Sequence, residues 1–131
     1  MVGLFSKTPK DPKAKSLFQK RKELRTLVKQ KQHDAALKLG LEILETTDEQ
    51  NVLFIVGGIY YMKEKYSTAI TYFEKALNIG SYDVEVLILK ANSHYFLGEP
   101  KRAIQCCNKI KEIDPKNKTV AELLSKIESK T

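Results

Sequence analysis

From Leu17 onward the apolar residues recur at intervals of three and four, the spacing that gathers side chains on one face of an α-helix. Leu17, Leu24, Leu27 and Val28 hold one stripe while Lys20, Arg21, Arg25 and Lys29 cover much of the remainder, which predicts an amphipathic helix over Leu17–Lys31. A partner helix carries Ala36, Leu37, Leu39, Ile43 and Leu44. Further helices are predicted near Glu49–Lys63, Tyr66–Ile79 and Val84–Leu97, from Pro100 to Ile113, and over Val120–Glu128, where Val120, Leu123, Leu124 and Ile127 fall at i, i+3, i+4 and i+7. The punctuation agrees with these bounds. Ser16 with Gln19, Thr47 with Gln50 and Thr119 with Glu122 have the spacing of capping boxes, and Asp34 and Asp83 are expected to cap the second and fifth helices. Gly80 and Gly98 stop helices, Pro100 sits at a first turn, and Asp114–Pro115 closes the sixth helix. The fold class is therefore all-α, with seven helices and no strand.

Small residues sit where paired helices must touch, and they recur. Gly57, Ala69 and Ala76 in the central stretch are matched 34 residues later by Ala91, Ala103 and Ile110, and 33 residues earlier by Leu24, Ala36 and Ile43. A fixed period of this size marks a solenoid of stacked helical pairs, each unable to bury its apolar face alone. The predicted organisation is one domain over residues 16–131, with units at 17–49, 50–83 and 84–117, a closing helix at 118–130, and a flexible basic tail at 1–15. That tail holds two prolines and spaced charges without an apolar period.

Composition narrows the function classes. With 131 residues and 42% apolar content the chain suits one packed unit, and its longest apolar run, Val52–Met62, falls short of the roughly 20 residues a transmembrane helix needs. No secretory signal or myristoylation site is expected at the start, where Val2 separates Gly3 from the initiator. The two cysteines, Cys106 and Cys107, are adjacent and read as reduced thiols in a cytoplasmic protein. The formal charge of +7 is unevenly spread: residues 1–31 carry ten basic and two acidic groups, whereas residues 32–131 carry 13 and 14. A near-neutral body with a basic front end follows.

Aligned on Ala36, Ala69 and Ala103, the units resemble the tetratricopeptide repeat. The second unit carries the pattern in Leu53, Val56, Gly57, Tyr60, Tyr66, Ala69, Phe73, Ala76 and Leu77, and the third in Leu87, Ala91, Leu97, Gly98, Ala103, Ile104, Ile110, Asp114 and Pro115. In the first unit Lys20 replaces a large apolar residue and Gly40 an aromatic one. The resemblance implies a right-handed superhelix whose first helices line a concave groove for a peptide or helix of a protein partner. Helical spacing then gives the groove residues: Asn51, Phe54, Gly58, Tyr61 and Met62 in the second unit, Glu85, Ile88, Asn92, Tyr95 and Phe96 in the third, and Phe18, Arg21, Lys22, Arg25, Val28 and Lys29 in the first. The expected groove is aromatic in the middle and basic at its N-terminal end, which suits a partner with acidic and apolar residues. Asn51 and Asn92, which offer both donor and acceptor, are expected to bond the bound backbone.

One branch of the family holds acidic C-terminal chaperone tails in a clamp of Lys, Arg and Asn. Here Arg21 could stand for the first basic group, but Arg25 and Ile55 stand at the two Asn places, and Glu85 and Leu89 where later basic residues belong, so the clamp is absent. Only Phe18 accompanies the basic cluster Lys20, Arg21, Lys22, Arg25, Lys29 and Lys31, which leaves nucleic acid or an anionic membrane a weaker idea than a protein partner. Self-association through the groove is the alternative of a structural kind. His33 and His94 lack ligands at metal spacing, no phosphate loop is present, and Cys107 falls at a core position. Neither catalysis nor a cofactor or metal is expected; the chain reads as a non-catalytic adaptor.

Overall fold

The computed structural model describes residues 15–130, so the expected flexible tail lies, apart from Lys15, outside the described residues. Seven helices occupy that span: α1 (Leu17–Lys29), α2 (His33–Leu44), α3 (Gln50–Met62), α4 (Tyr66–Ile79), α5 (Val84–Phe96), α6 (Pro100–Ile113) and α7 (Lys118–Lys130), with no strand among the described residues. They pack as antiparallel neighbours, α1 on α2, α3 on α4 and α5 on α6, with α2–α3 and α4–α5 joining successive pairs and α7 lying on α5 and α6.

The reason each pair closes is visible at its small residues. Ala36, Ala69, Ala76, Ala91 and Ala103 are fully buried. At Gly57 an added Cβ would stand 2.6 Å from Cε1 of Phe73, so the buried Phe73 ring lies directly on the α3 backbone. Leu24, Ile43, Val52, Val56 and Ile59 form the core between the first pair and α3, Leu53, Phe73 and Val86 the middle one, and Leu87, Cys107, Ile110, Val120, Leu123 and Ile127 the last. The last core shows why α7 is needed: it covers the apolar end that a further repeat would otherwise bury.

Within each pair the turn has one geometry. Lys31, Glu64 and Gly98 all adopt positive φ, at 57°, 62° and 73°. The next amide donates to a carbonyl five residues back in each case, Gln32 to Leu27, Lys65 to Tyr60 and Glu99 to His94. These are Schellman closures. Only the third uses the glycine that announces such a turn in sequence. Gly80 closes α4 differently, with extended φ of −133°.

The caps are partly as expected. Ser16 and Gln19 form the reciprocal box, and the Asp83 carboxylate accepts from the Val86 amide. Three others differ. Asp34 does not cap α2, whose N-cap is Gln32; its carboxylate takes the Lys63 ammonium at 2.6 Å instead, and this pairing holds its pKa below the usual value. Thr47 makes no box, because α3 begins after Glu49 and Gln50 reaches across to the Gly80 carbonyl and the Asp83 carboxylate. At α7 the amide of Val120 donates to the Asn117 side chain at 3.0 Å in place of Thr119. Asp34 and Gln50 thus take tertiary partners rather than their own helix ends, and at α7 the cap comes from a residue two positions earlier.

Candidate functional site

The first helices of the pairs, α1, α3 and α5, carry the residues assigned to the groove. On α3, Asn51 is exposed and Gly58 is open, with nothing within 4 Å of the position a Cβ would take. Tyr61 meets Tyr66 of α4 edge-on, with centroids 5.5 Å apart, and tilts against Phe96 of α5 at 6.4 Å. Phe96 in turn stacks on Tyr66 at 5.0 Å and meets Tyr95 at 5.5 Å. Four rings from three helices thus form one continuous surface, and Phe96 remains 54% exposed within it. Burial among these rings raises the Tyr61 pKa, with Asn92 beside it partly offsetting the effect.

The other groove residues divide by neighbour. Phe54 turns inward, tilted against the buried Phe73 ring at 6.3 Å. Ile88 and Tyr95 pack on the last core, and the Lys130 ammonium of α7 lies 5.1 Å from the Tyr95 ring, so these two residues serve the seating of α7 as well as the groove wall. Met62 is 56% exposed and lines a cleft of about 540 Å³ with Ile59, Lys31, His33 and Lys63, on the side toward α1 and α2. Arg25, Lys22 and Lys29 are exposed along α1 beside Phe18. Arg21 is different: its guanidinium grips both oxygens of Glu49, Nε at 2.9 Å from Oε1 and an amino nitrogen at 2.6 Å from Oε2, which raises its pKa. A bidentate pair of this kind fixes the side chain rather than offering it to a ligand.

Tyr66 is the residue that spacing missed. As the first residue of a second helix it was assigned to the repeat pattern, yet the tight turn Lys63–Lys65 brings its ring between Tyr61 and Phe96. A signal existed in its aromatic character directly after a turn, where the repeat pattern of the other pairs has His33 and Pro100.

The remaining chemistry is structural. Cys106 and Cys107 are free and buried, and burial pushes the Cys107 thiol up to about 11, far from a reactive thiolate. His94 is buried with Nδ1 2.7 Å from the Glu99 carboxylate. Among the described residues no group of three or more His, Cys, Asp or Glu could hold a metal, and no helix is long and apolar enough to cross a membrane.

Against known proteins, the family model described as tetratricopeptide repeat matches residues 60–127. No curated protein sequence matches the chain. Among solved structures, the first repeat domain of Spaghetti (RPAP3) bound to an HSP90 peptide, SRMEEVD, is similar at 14% identity with a TM-score of 0.79, covering 87% of this chain and 91% of that one. The second such domain of human RPAP3, in complex with an HSP70 peptide, SGPTIEEVD, is similar at 18% identity with a TM-score of 0.76, covering 86% and 94%. A MamA D159K mutant is similar at 18% identity with a TM-score of 0.81, covering 98% and 75%.

Proposed function

The chain belongs to the tetratricopeptide repeat family, and from that premise we propose that it is a non-catalytic adaptor whose concave surface holds a segment of a protein partner. The observation that carries the reading is the ring surface Tyr61–Tyr66–Phe96, with the adjacent Met62 exposed on the side toward α1 and α2. Phe96 and Met62 are 54% and 56% exposed; Phe18, Ile79 and Tyr82 are also more than half exposed, but of these only Phe96 belongs to the ring cluster. A contiguous apolar patch of this kind has a contact to make.

The partner follows from the wall of the groove. Rings and Met62 suit apolar and aromatic side chains, Asn51 and Asn92 suit a bound backbone, and the free cations Arg25, Lys22 and Lys29 suit an acidic residue at the α1 end. Two similar structures hold acidic peptides ending in EEVD, but that mode does not transfer residue by residue. Arg21 is the one basic group of the clamp pattern present here, and Glu49 already occupies it. The proposed partner is therefore anchored by apolar side chains, with charge secondary.

The double variant Met62→Ala/Phe96→Ala removes two exposed side chains and leaves the cores intact. Capture of partner from native extract is expected to fall about tenfold or more, the loss of one or two anchor residues, with helical circular dichroism unchanged. Undiminished capture would sink the groove reading. Light scattering over a dilution series tests self-association as the occupant: a monomer at every concentration removes it.

A further inference from the structure

A second cavity lies away from the groove, between α4, α5 and α6. Its volume is about 290 Å³ and its walls are Glu74, Leu87, Lys90, His94, Arg102, Gln105, Cys106 and Lys109. Lys90 and His94 are one turn apart on α5, and each is two residues from Asn92, roughly 200° round the helix, so the cavity opens on the face opposite the ring surface. From α6, Arg102, Gln105 and Lys109 fall at i, i+3 and i+7 and share one side.

Its cations are under-used. Lys90 reaches the Glu74 carboxylate at 3.5 Å, longer than the 2.7–2.9 Å of a tight charged hydrogen bond. Lys109 rests over the Tyr82 ring at 5.2 Å, a contact that consumes no N–H donor. Arg102 is exposed and makes no ion pair or hydrogen bond among the described residues. His94 adds a fourth polar group. It lines the wall with its Nδ1 2.7 Å from the Glu99 carboxylate. Three cations stand against Glu74 here, while Glu99 is committed to His94. That is a local excess in a stretch, residues 32–131, whose overall balance is −1.

We propose that this cavity binds a phosphate dianion, either free or as the ester on a phosphorylated serine of a protein partner. Lys90, Arg102 and Lys109 would supply the charge, and the Gln105 amide would direct an individual oxygen. Arg presents a planar fork of donors matched to phosphate oxygens, and Lys a rotatable point charge. The proposal is independent of the groove.

The test is titration of the full chain with inorganic phosphate and with O-phosphoserine at constant ionic strength, followed by amide resonances. Saturable shifts confined to residues near 87–109 are expected, with affinity reduced about tenfold or more by Arg102→Gln or by Lys90→Gln, as loss of one charge-assisted hydrogen bond requires. Phe96→Ala should leave the titration unchanged. Tighter binding of phosphoserine assigns the site to a phosphorylated partner, and equal or tighter binding of inorganic phosphate assigns it to the free ion. Shifts that do not saturate, that centre on Lys20–Lys31, or that survive both substitutions with circular dichroism intact would overturn the proposal.

Discussion

Lys31, Glu64 and Gly98 show how one backbone requirement is met by different residues. All three sit at the left-handed position of a Schellman turn, where a side chain meets a steric cost of about 1–2 kcal/mol that glycine escapes. Glycine gives part of that advantage back through its larger loss of chain entropy. Glu64→Gly is therefore expected to stabilise the protein by about 0.5–1 kcal/mol, and Gly98→Ala to destabilise it by about 1 kcal/mol. Urea denaturation of the two variants checks both signs; a destabilising Glu64→Gly would contradict the account. The same residues show what spacing could reach. Gly98 was legible as a stop, but Lys31 and Glu64 were not, because their backbone is imposed by the helix pairs on either side rather than preferred by the residues themselves.

Among the elements, α7 has the clearest division of labour. Its apolar stripe, Val120, Leu123 and Ile127, is buried against α5 and α6 with Leu124 half-buried beside it, while most of its other positions are exposed. Replacing Leu123 with Ala removes a nearly fully buried side chain and is expected to cost about 2–4 kcal/mol. Thermal unfolding followed by circular dichroism measures this, and a change below about 1 kcal/mol would show that α7 is not an integral part of the last core. Because Tyr95 and Ile88 share that core, the element also steadies one side of the ring surface. The i, i+3, i+4, i+7 spacing made α7 legible, as did the stripe of every other helix. The Thr119–Glu122 spacing places the cap two residues late, since Asn117 supplies it.

For the molecule as a whole, stability is expected to vary along the solenoid, because each helix has only its neighbours to lean on. α1 ends the stack, has its backbone neighbour in α2 and buries only Leu24, whereas α3 and α5 each have helices on both sides. Native-state hydrogen exchange should accordingly show the weakest amide protection in α1 and the strongest in α3 and α4. Uniform protection from α1 to α6 would instead mean that the repeats open as one unit. On the proposed reading the gradient bears on binding: the exposed Lys22, Arg25 and Lys29 ride on the helix expected to be least anchored, and the rings of α3–α5 on the better packed part.

The sequence by itself determined the helices, their pairing and their period, because each rests on the spacing of apolar and small residues within a few turns. It also placed Tyr61, Met62, Asn92 and Phe96 on first helices, which helical geometry fixes. What only the tertiary structure decided was which neighbour each polar or aromatic group would take. Arg21 could have faced a ligand and is held by Glu49 28 residues away. Asp34 could have capped its helix and pairs with Lys63. Tyr66 joins the ring surface because α5 brings Phe96, 30 residues on, against it, and Lys90, His94, Arg102 and Lys109 gather round one cavity because the consecutive helices α5 and α6 pack side by side. Periodicity specifies a face; a contact between two faces also depends on crossing angle and distance, which the packing of the whole sets.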